Sequence, residues 1–194
     1  MTLYSYVVAR DYGFAPNPFF RVCTLATCKS KIRAAAEFGD WIVGTGSKRY
    51  GLAGRLVYLM RVDEILTYTE YWHDPRFQIK KPNFRSSIRN AFGDNIYHKD
   101  AKTVKWVQEN SHHSNPDGTP NPLNIEHDTA SPRVLIGREF VYWGGQPVEI
   151  PARFKKVCAG RGHKSRFSPD FIESFIAWVE SLGKTGYQAD PFKF

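Results

Sequence analysis

Apolar positions along the 194-residue chain change their period several times, and each change predicts an element. Leu3 to Ala9 (LYSYVVA) is β-branched and aromatic, which predicts a first strand. Arg10 to Phe19 follows with two prolines, a glycine and an asparagine, and reads as an ordered, turn-rich loop. Thr27 to Phe38 has a helical stripe at Ile32, Ala35 and Ala36, with Thr27 as N-cap and Gly39 as the αL residue after it. Asp40 to Gly46 is a continuous apolar run, hence a buried strand. Lys48 to Gly51 is a turn, and Gly54 to Ile65 is a long strand with partial alternation. Thr67 to His73 reads as a short helix closed by Asp74-Pro75. Residues 76–100 are basic and polar, and the Pro-rich stretch 112–124 reads as loop. Arg133–Ile136 and Glu139–Trp143 suggest a hairpin around Gly137-Arg138. Phe171 to Leu182 is the clearest helix, with Ser168 as N-cap, Pro169 at N1, Gly183 at the C-terminal cap and a wide apolar stripe.

Strands and helices in this order predict an α+β fold in a single domain, residues 1–194, with a loop-rich insertion at about 76–130 and a long C-terminal helix. A chain of this length buries roughly 70% of its unfolded surface, enough for a core without staples. Its three cysteines argue against a secreted disulfide framework. The start shows no basic n-region, and no run of about 18 apolar residues suggests a membrane span. A cytoplasmic protein with no membrane partner is expected.

Charge narrows the partners. The net charge is +8, which favours polyanions such as nucleic acid or nucleotides. Two basic stretches carry much of it: Arg76 to Lys105, and Arg153 to Arg166 including Arg161 and Lys164, with Tyr97, Trp106, Phe154 and Phe167 interleaved. Cations track phosphates while rings stack on bases. A solvated basic face is the plainer alternative.

Several constellations offer chemistry. Asp11 follows the first strand on a rigid loop beside Arg10. Tyr12 and Phe14 offer stacking faces there, and Asn17 offers a donor and an acceptor to a base edge. Gly44-Thr45-Gly46-Ser47-Lys48 lacks Walker spacing, yet Thr45, Ser47 and Lys48 can hold one phosphate; a hairpin turn is the simpler reading. Histidines gather at His98, His112, His113 and His127 among several aspartates. His98 is the leading acid/base candidate, with Asp11 as its catalytic counterpart and Asp128 as the carboxylate that orients it. Cys28, with Lys29 beside it at a predicted helix start, is a possible nucleophile. No base adjoins it in sequence, so a buried, inert thiol is the default. Cys23, Cys28, Cys158 and His163 form a possible zinc set at wide spacing, and whether they meet is left open. No cofactor motif is present.

Two resemblances add to this. The order strand, helix, Gly39-Asp40 strand, glycine turn and strand, ending near Tyr71-Trp72-His73-Asp74-Pro75, resembles the PUA-like superfamily over roughly the first 80 residues. That resemblance implies a bent, mostly antiparallel β barrel with flanking helices and an aromatic-lined pocket, here drawn from Phe14, Trp41, Tyr50 and Trp72. The second resemblance runs over most of the chain. It rests on Tyr4–Val8 with Asp11–Pro18, Cys23–Lys29, Gly39–Gly46, Gly93–His98 and Val134–Ile136. These strings resemble the second nucleotide-modification-associated domain family, bacterial and phage proteins linked to DNA base modification and conflict systems. It implies a nucleotide or nucleic-acid partner, DNA ahead of RNA, but no settled reaction. Three functions stay open: a module that captures a modified base, an enzyme that acts on a nucleotide or base, and an interaction domain for an acidic partner.

Overall fold

The computed structural model describes residues 1–194. In chain order its elements are β1 Leu3–Val8, β2 Cys23–Leu25, α1 Ser30–Ala35, β3 Trp41–Gly46, β4 Arg55–Arg61, β5 Glu64–Thr67 and α2 Tyr68–His73. Then come α3 Ile88–Ala91, β6 Tyr97–Lys99, β7 Trp106–Gln108, α4 Pro122–Thr129 and β8 Arg133–Gly137. The chain ends with β9 Phe140–Tyr142, β10 Val148–Glu149, β11 His163–Lys164, α5 Pro169–Ser181 and β12 Gly186–Tyr187. No helix is long and apolar enough to cross a membrane. The chain divides into two compact units. The first is Met1–Tyr12, Ala36–Asp63 and Gly137–Phe194, and the second is Gly13–Ala35 and Glu64–Ile136.

The first unit is built on a mostly antiparallel sheet in the order β11-β1-β3-β4-β9-β12, with β10 also paired to β4. β1 and β3 run parallel, Leu3 opposite Trp41 through Val8 opposite Gly46. β4 is antiparallel to β3 and to β9. The sheet is open and does not close into the expected barrel: its path ends in β11 and β12, two residues each, which pair with β1 and β9 and not with one another. Its core is hydrocarbon and ring. Leu3, Trp41, Val43 and Leu59 pack with Phe154 and with Phe171, Ile172, Phe175, Ile176 and Val179 of α5, the stripe predicted from the sequence. The glycines of β3 are packing residues. A Cβ on Gly44 would lie 2.3 Å from the Tyr58 ring, and one on Gly46 would lie 2.3 Å from the Leu52 carbonyl.

The second unit holds the three-stranded sheet β2-β8-β5, the hairpin β6–β7 and the helices α1 to α4. Thr67 opens α2 with a capping box, accepting from the Glu70 N–H while the Glu70 carboxylate accepts from the Thr67 N–H. Three sequence expectations are corrected. The 54–65 strand breaks at Val62-Asp63, because the Asp63 carboxylate accepts the N–H groups of Arg138 and Glu139 and turns the chain. The expected 133–143 hairpin does not form: β8 pairs with β5, whereas β9 pairs with β4. The helix expected from Thr27 starts at Ser30, because Cys28 and Lys29 are left-handed at φ 55° and 40°. α4 falls partly in the stretch read as loop. Asn121 caps it by accepting from the Asn124 N–H, and Pro122 sits in its first turn.

Candidate functional site

Non-glycine residues seldom adopt positive φ, and two in succession need a surround that holds them. Cys28 has such a surround on both sides. Its N–H donates to Oδ1 of Asp128 at 2.7 Å, and its carbonyl accepts from Nε of Arg33 at 2.8 Å. Arg33 is fully buried and gives its guanidinium hydrogens to main-chain carbonyls. Its Nη1 donates to the carbonyls of Ser131 and Arg133, and its Nη2 donates to that of Asp128. One guanidinium on α1 thus ties the Cys28 turn to the chain that leaves α4. The Tyr68 ring lies under it, 5.5 Å from the cation, and the Tyr68 hydroxyl donates to the Ala26 carbonyl at 2.6 Å.

The turn brings the thiol to a histidine. Sγ of Cys28 lies 3.6 Å from Nε2 of His113, and Nδ1 of that ring lies 2.7 Å from Oδ2 of Asp128. Phe14 packs on the imidazole at 4.6 Å between centroids. The His113 carbonyl accepts from the amides of Asn124 and Gln108, which fixes its loop against α4 and β7. Asp128 faces inward on α4 and is fully buried. Tyr97 donates its hydroxyl to Oδ2 at 2.9 Å, and Nδ1 of the exposed His127 stands 3.2 Å from Oδ1. Burial would pull the His113 ring down. The hydrogen bond to Asp128, and then that to Cys28, outweigh it and lift the ring from 6.5 to about 9. Burial would raise the Asp128 carboxyl, but His113 overrides this and holds it below its ordinary value. Burial first, and the Asp128 charge second, push the Tyr97 hydroxyl well up, so it remains a donor.

A nucleophilic sulfur, a ring nitrogen facing it and a carboxylate behind the ring are the parts of a nucleophile–base–acid relay. The same three residues also lie close enough to share a metal ion. The hydrogen bonds argue for the relay. A carboxylate has about four lone-pair sites. The two oxygens of Asp128 already meet Cys28 N–H, His127, His113 and Tyr97. A cation would then find only Cys28 Sγ and His113 Nε2 facing it.

The residues singled out in the sequence are distributed as follows. Asp128 belongs to this centre, but its histidine is His113; His98 instead has Glu109 at 3.0 Å and stacks on Trp72. Antiparallel β6–β7 pairing places His98 opposite Val107, and Glu109, two residues on, is on the same face, which explains that exchange of partners. Asp11 lies in the first unit, nearly buried, and accepts the Tyr142 hydroxyl at 2.7 Å. Phe14 is buried against the triad. Asn17 is fully buried, its Oδ1 accepting from Lys80 at 2.7 Å and its Nδ2 donating to the Phe92 carbonyl at 2.9 Å. Trp41 is a core residue of the first unit, and Thr45 donates to the Tyr6 carbonyl. Ser47 caps a short 3₁₀ turn over Lys48–Tyr50, with Lys48 exposed and the Tyr50 ring against Phe192. Arg10 and Arg161 are exposed, and Lys164 donates to the carbonyls of Lys156 and Cys158. Of the possible zinc set, Cys23 and Cys28 lie in the second unit and Cys158 and His163 in the first.

A family model described as nucleotide modification associated domain 2 matches residues 1–194. The chain belongs to that family. The match bears out the resemblance read from the sequence and links the chain to nucleotide modification. No curated protein and no solved structure matches it.

Proposed function

We propose that the chain is a nucleotide-directed enzyme in which Cys28 is the nucleophile, His113 the general base and acid, and Asp128 the residue that orients His113. The carrying observation is the continuous line from Sγ through the imidazole to the carboxylate. Such a line suits acyl transfer at an amide or ester carbonyl borne by a nucleotide. The proton shared by Sγ and Nε2 of His113 rests on the imidazole, in keeping with its raised value, while Sγ bonds to the carbonyl carbon. The C–N or C–O bond then breaks, and the same proton passes to the leaving amine or alcohol. Water next adds to the thioester, giving one proton to His113. The C–S bond breaks, Sγ recovers that proton, and a carboxylic acid leaves. The +8 net charge supports a polynucleotide as carrier of the nucleotide.

The test is alkylation by iodoacetamide, read by mass spectrometry at each cysteine. The thiolate is the reacting form. Cys28 is expected to react at least tenfold faster than Cys23 and Cys158, and to lose that advantage in His113→Ala. Equal rates at Cys28 in the wild type and in His113→Ala would overturn the assignment.

A further inference from the structure

Beside the triad, still within the second unit, lies an open cavity of about 520 Å³. Small-molecule sites fall in the range of about 300–1,000 Å³. Its lining is distinctive in chemistry. Phe84, Phe92 and His112 supply rings, Asn110, Ser111 and Ser114 supply neutral polar groups, and no Asp, Glu, Lys or Arg takes part. The cavity is one ring away from the relay. His112 lies on its wall, its ring 6.1 Å from that of His113, and Phe14 packs against both imidazoles. Phe92 closes the same cluster, 5.1 Å from His112.

We infer that this groove seats the base of the nucleotide substrate, and that Phe84 and Asn110 are its recognition residues. The inference rests on the triad reading and names the substrate class for it. A wall of rings and amides without Asp, Glu, Lys or Arg suits a planar heterocycle better than a phosphate. Phe84 is an apolar ring that is 56% exposed, the state of a stacking face before a base covers it. The exposed Asn110 carries a donor and an acceptor, the pair that a base edge presents. Asn115, by contrast, is committed to Thr119, Pro120 and Asn121. The charges sit next to the wall. Arg85 follows Phe84, and Arg89 lies on α3, the helix that also gives Ala91 to the lining; both arginines are exposed. A base in the groove thus leaves its phosphate to the arginines. It also directs an acyl group on the base, rather than the phosphodiester, toward Cys28.

The experiment is equilibrium dialysis of the full Cys28→Ser chain at low salt against each of the four deoxynucleoside 5′-monophosphates. Deoxyribose 5-phosphate serves as the base-free control. At least one nucleotide is expected to bind at millimolar or lower concentration, and the control is expected not to bind. Phe84→Ala should weaken binding fivefold or more, and Asn110→Ala should change the ranking of the bases. Both side chains are exposed, so melting temperatures should stay unchanged. In the wild type, the bound nucleotide should slow alkylation of Cys28. Binding that ignores the base, or that survives the Phe84→Ala/Asn110→Ala double substitution, would overturn the groove assignment. The two readings fail separately. A fast, His113-dependent Cys28 without base-dependent binding keeps the triad and removes the groove; base-dependent binding with an unreactive Cys28 does the reverse.

Discussion

The two units bury opposite chemistries. The interior of the first is mainly aliphatic side chains and rings from β1, β3, β4, β9 and α5, and its two buried carboxylates, Asp11 and Asp40, keep 7% and 6% exposure. The interior of the second holds Arg33, Lys80, Asp94 and Asp128, all at 0% exposure, beside Tyr68, Tyr71 and Tyr97. A dry core stabilises by area removed from water and tolerates substitutions that keep volume. Buried charges stabilise little on balance, but taking away one member is costly, because its partners are left unpaired. The first unit is therefore read as scaffold. The second retains charges that burial disfavours, and one of them, Asp128, is hydrogen-bonded to His113.

Asp128→Ala should show the largest effect. It strips the partner from His113, from the Cys28 N–H and from Tyr97. The loss of unfolding free energy should be about 3–5 kcal/mol, with fast alkylation of Cys28 gone. Denaturation in urea reads the first, and an unchanged midpoint would erase the contrast between the units.

Lys80 gives the next test. Its ammonium donates to the Asn17 and Val22 carbonyls, to Asn17 Oδ1 and to Thr24, whose hydroxyl donates to Asp94. Lys80→Met should cost about 3 kcal/mol. Adding Asp94→Leu should recover part of that, since an apolar pair removes both buried charges. No recovery in the double variant would mean that hydrogen-bond geometry, rather than charge, dominates there.

His113 adds a pH dependence. Its folded value, about 9, lies above the ordinary 6.5, so the folded state binds the proton more tightly. The resulting stability is complete below pH 6.5 and is lost as pH rises through about 9. Between pH 6.5 and 8 the wild type should lose up to about 2 kcal/mol, and His113→Gln should be flat. Lys80, lowered by burial to about 8, adds the opposite slope above that window. A wild-type profile as flat as that of the variant would count against the His113–Asp128 pair.

In the first unit, Phe175→Leu keeps the apolar character of the core and should cost less than about 1.5 kcal/mol. A loss as large as that of Lys80→Met would blur the distinction. Smallest of all, Glu139→Gln breaks the surface pair with Arg61, where both side chains are well exposed, and should shift stability by under about 0.5 kcal/mol.

The elements of the first unit were legible in the sequence, because their apolar periods are strong. β1, β3 and the stripe of α5 stand where the pattern puts them. The strand after Gly54 was read through Asp63, since a break made by a carboxylate that accepts two distant N–H groups leaves no local period. The site was half legible. Cys28, His113 and Asp128 were each noticed, but the base lies 85 residues from the thiol and the acid 100, so spacing does not connect them. His98 drew attention as a histidine near aspartates, whereas its partner is a glutamate across the hairpin. Arg33 was not singled out in the sequence. Its fully buried guanidinium, bonded to four carbonyls, has no signature in its neighbours.

That arginine also orders events in time. Its acceptors include Cys28 and Arg133, the latter 100 residues away from it. Closing so long a loop is entropically slow compared with forming a hairpin. During synthesis the chain emerges N-terminus first, so the clasp cannot reach its distant carbonyls, those of Asp128, Ser131 and Arg133, until about two-thirds of the protein has been made. The thiol thus meets His113 late, and a nascent or half-folded chain carries Cys28 without its imidazole neighbour.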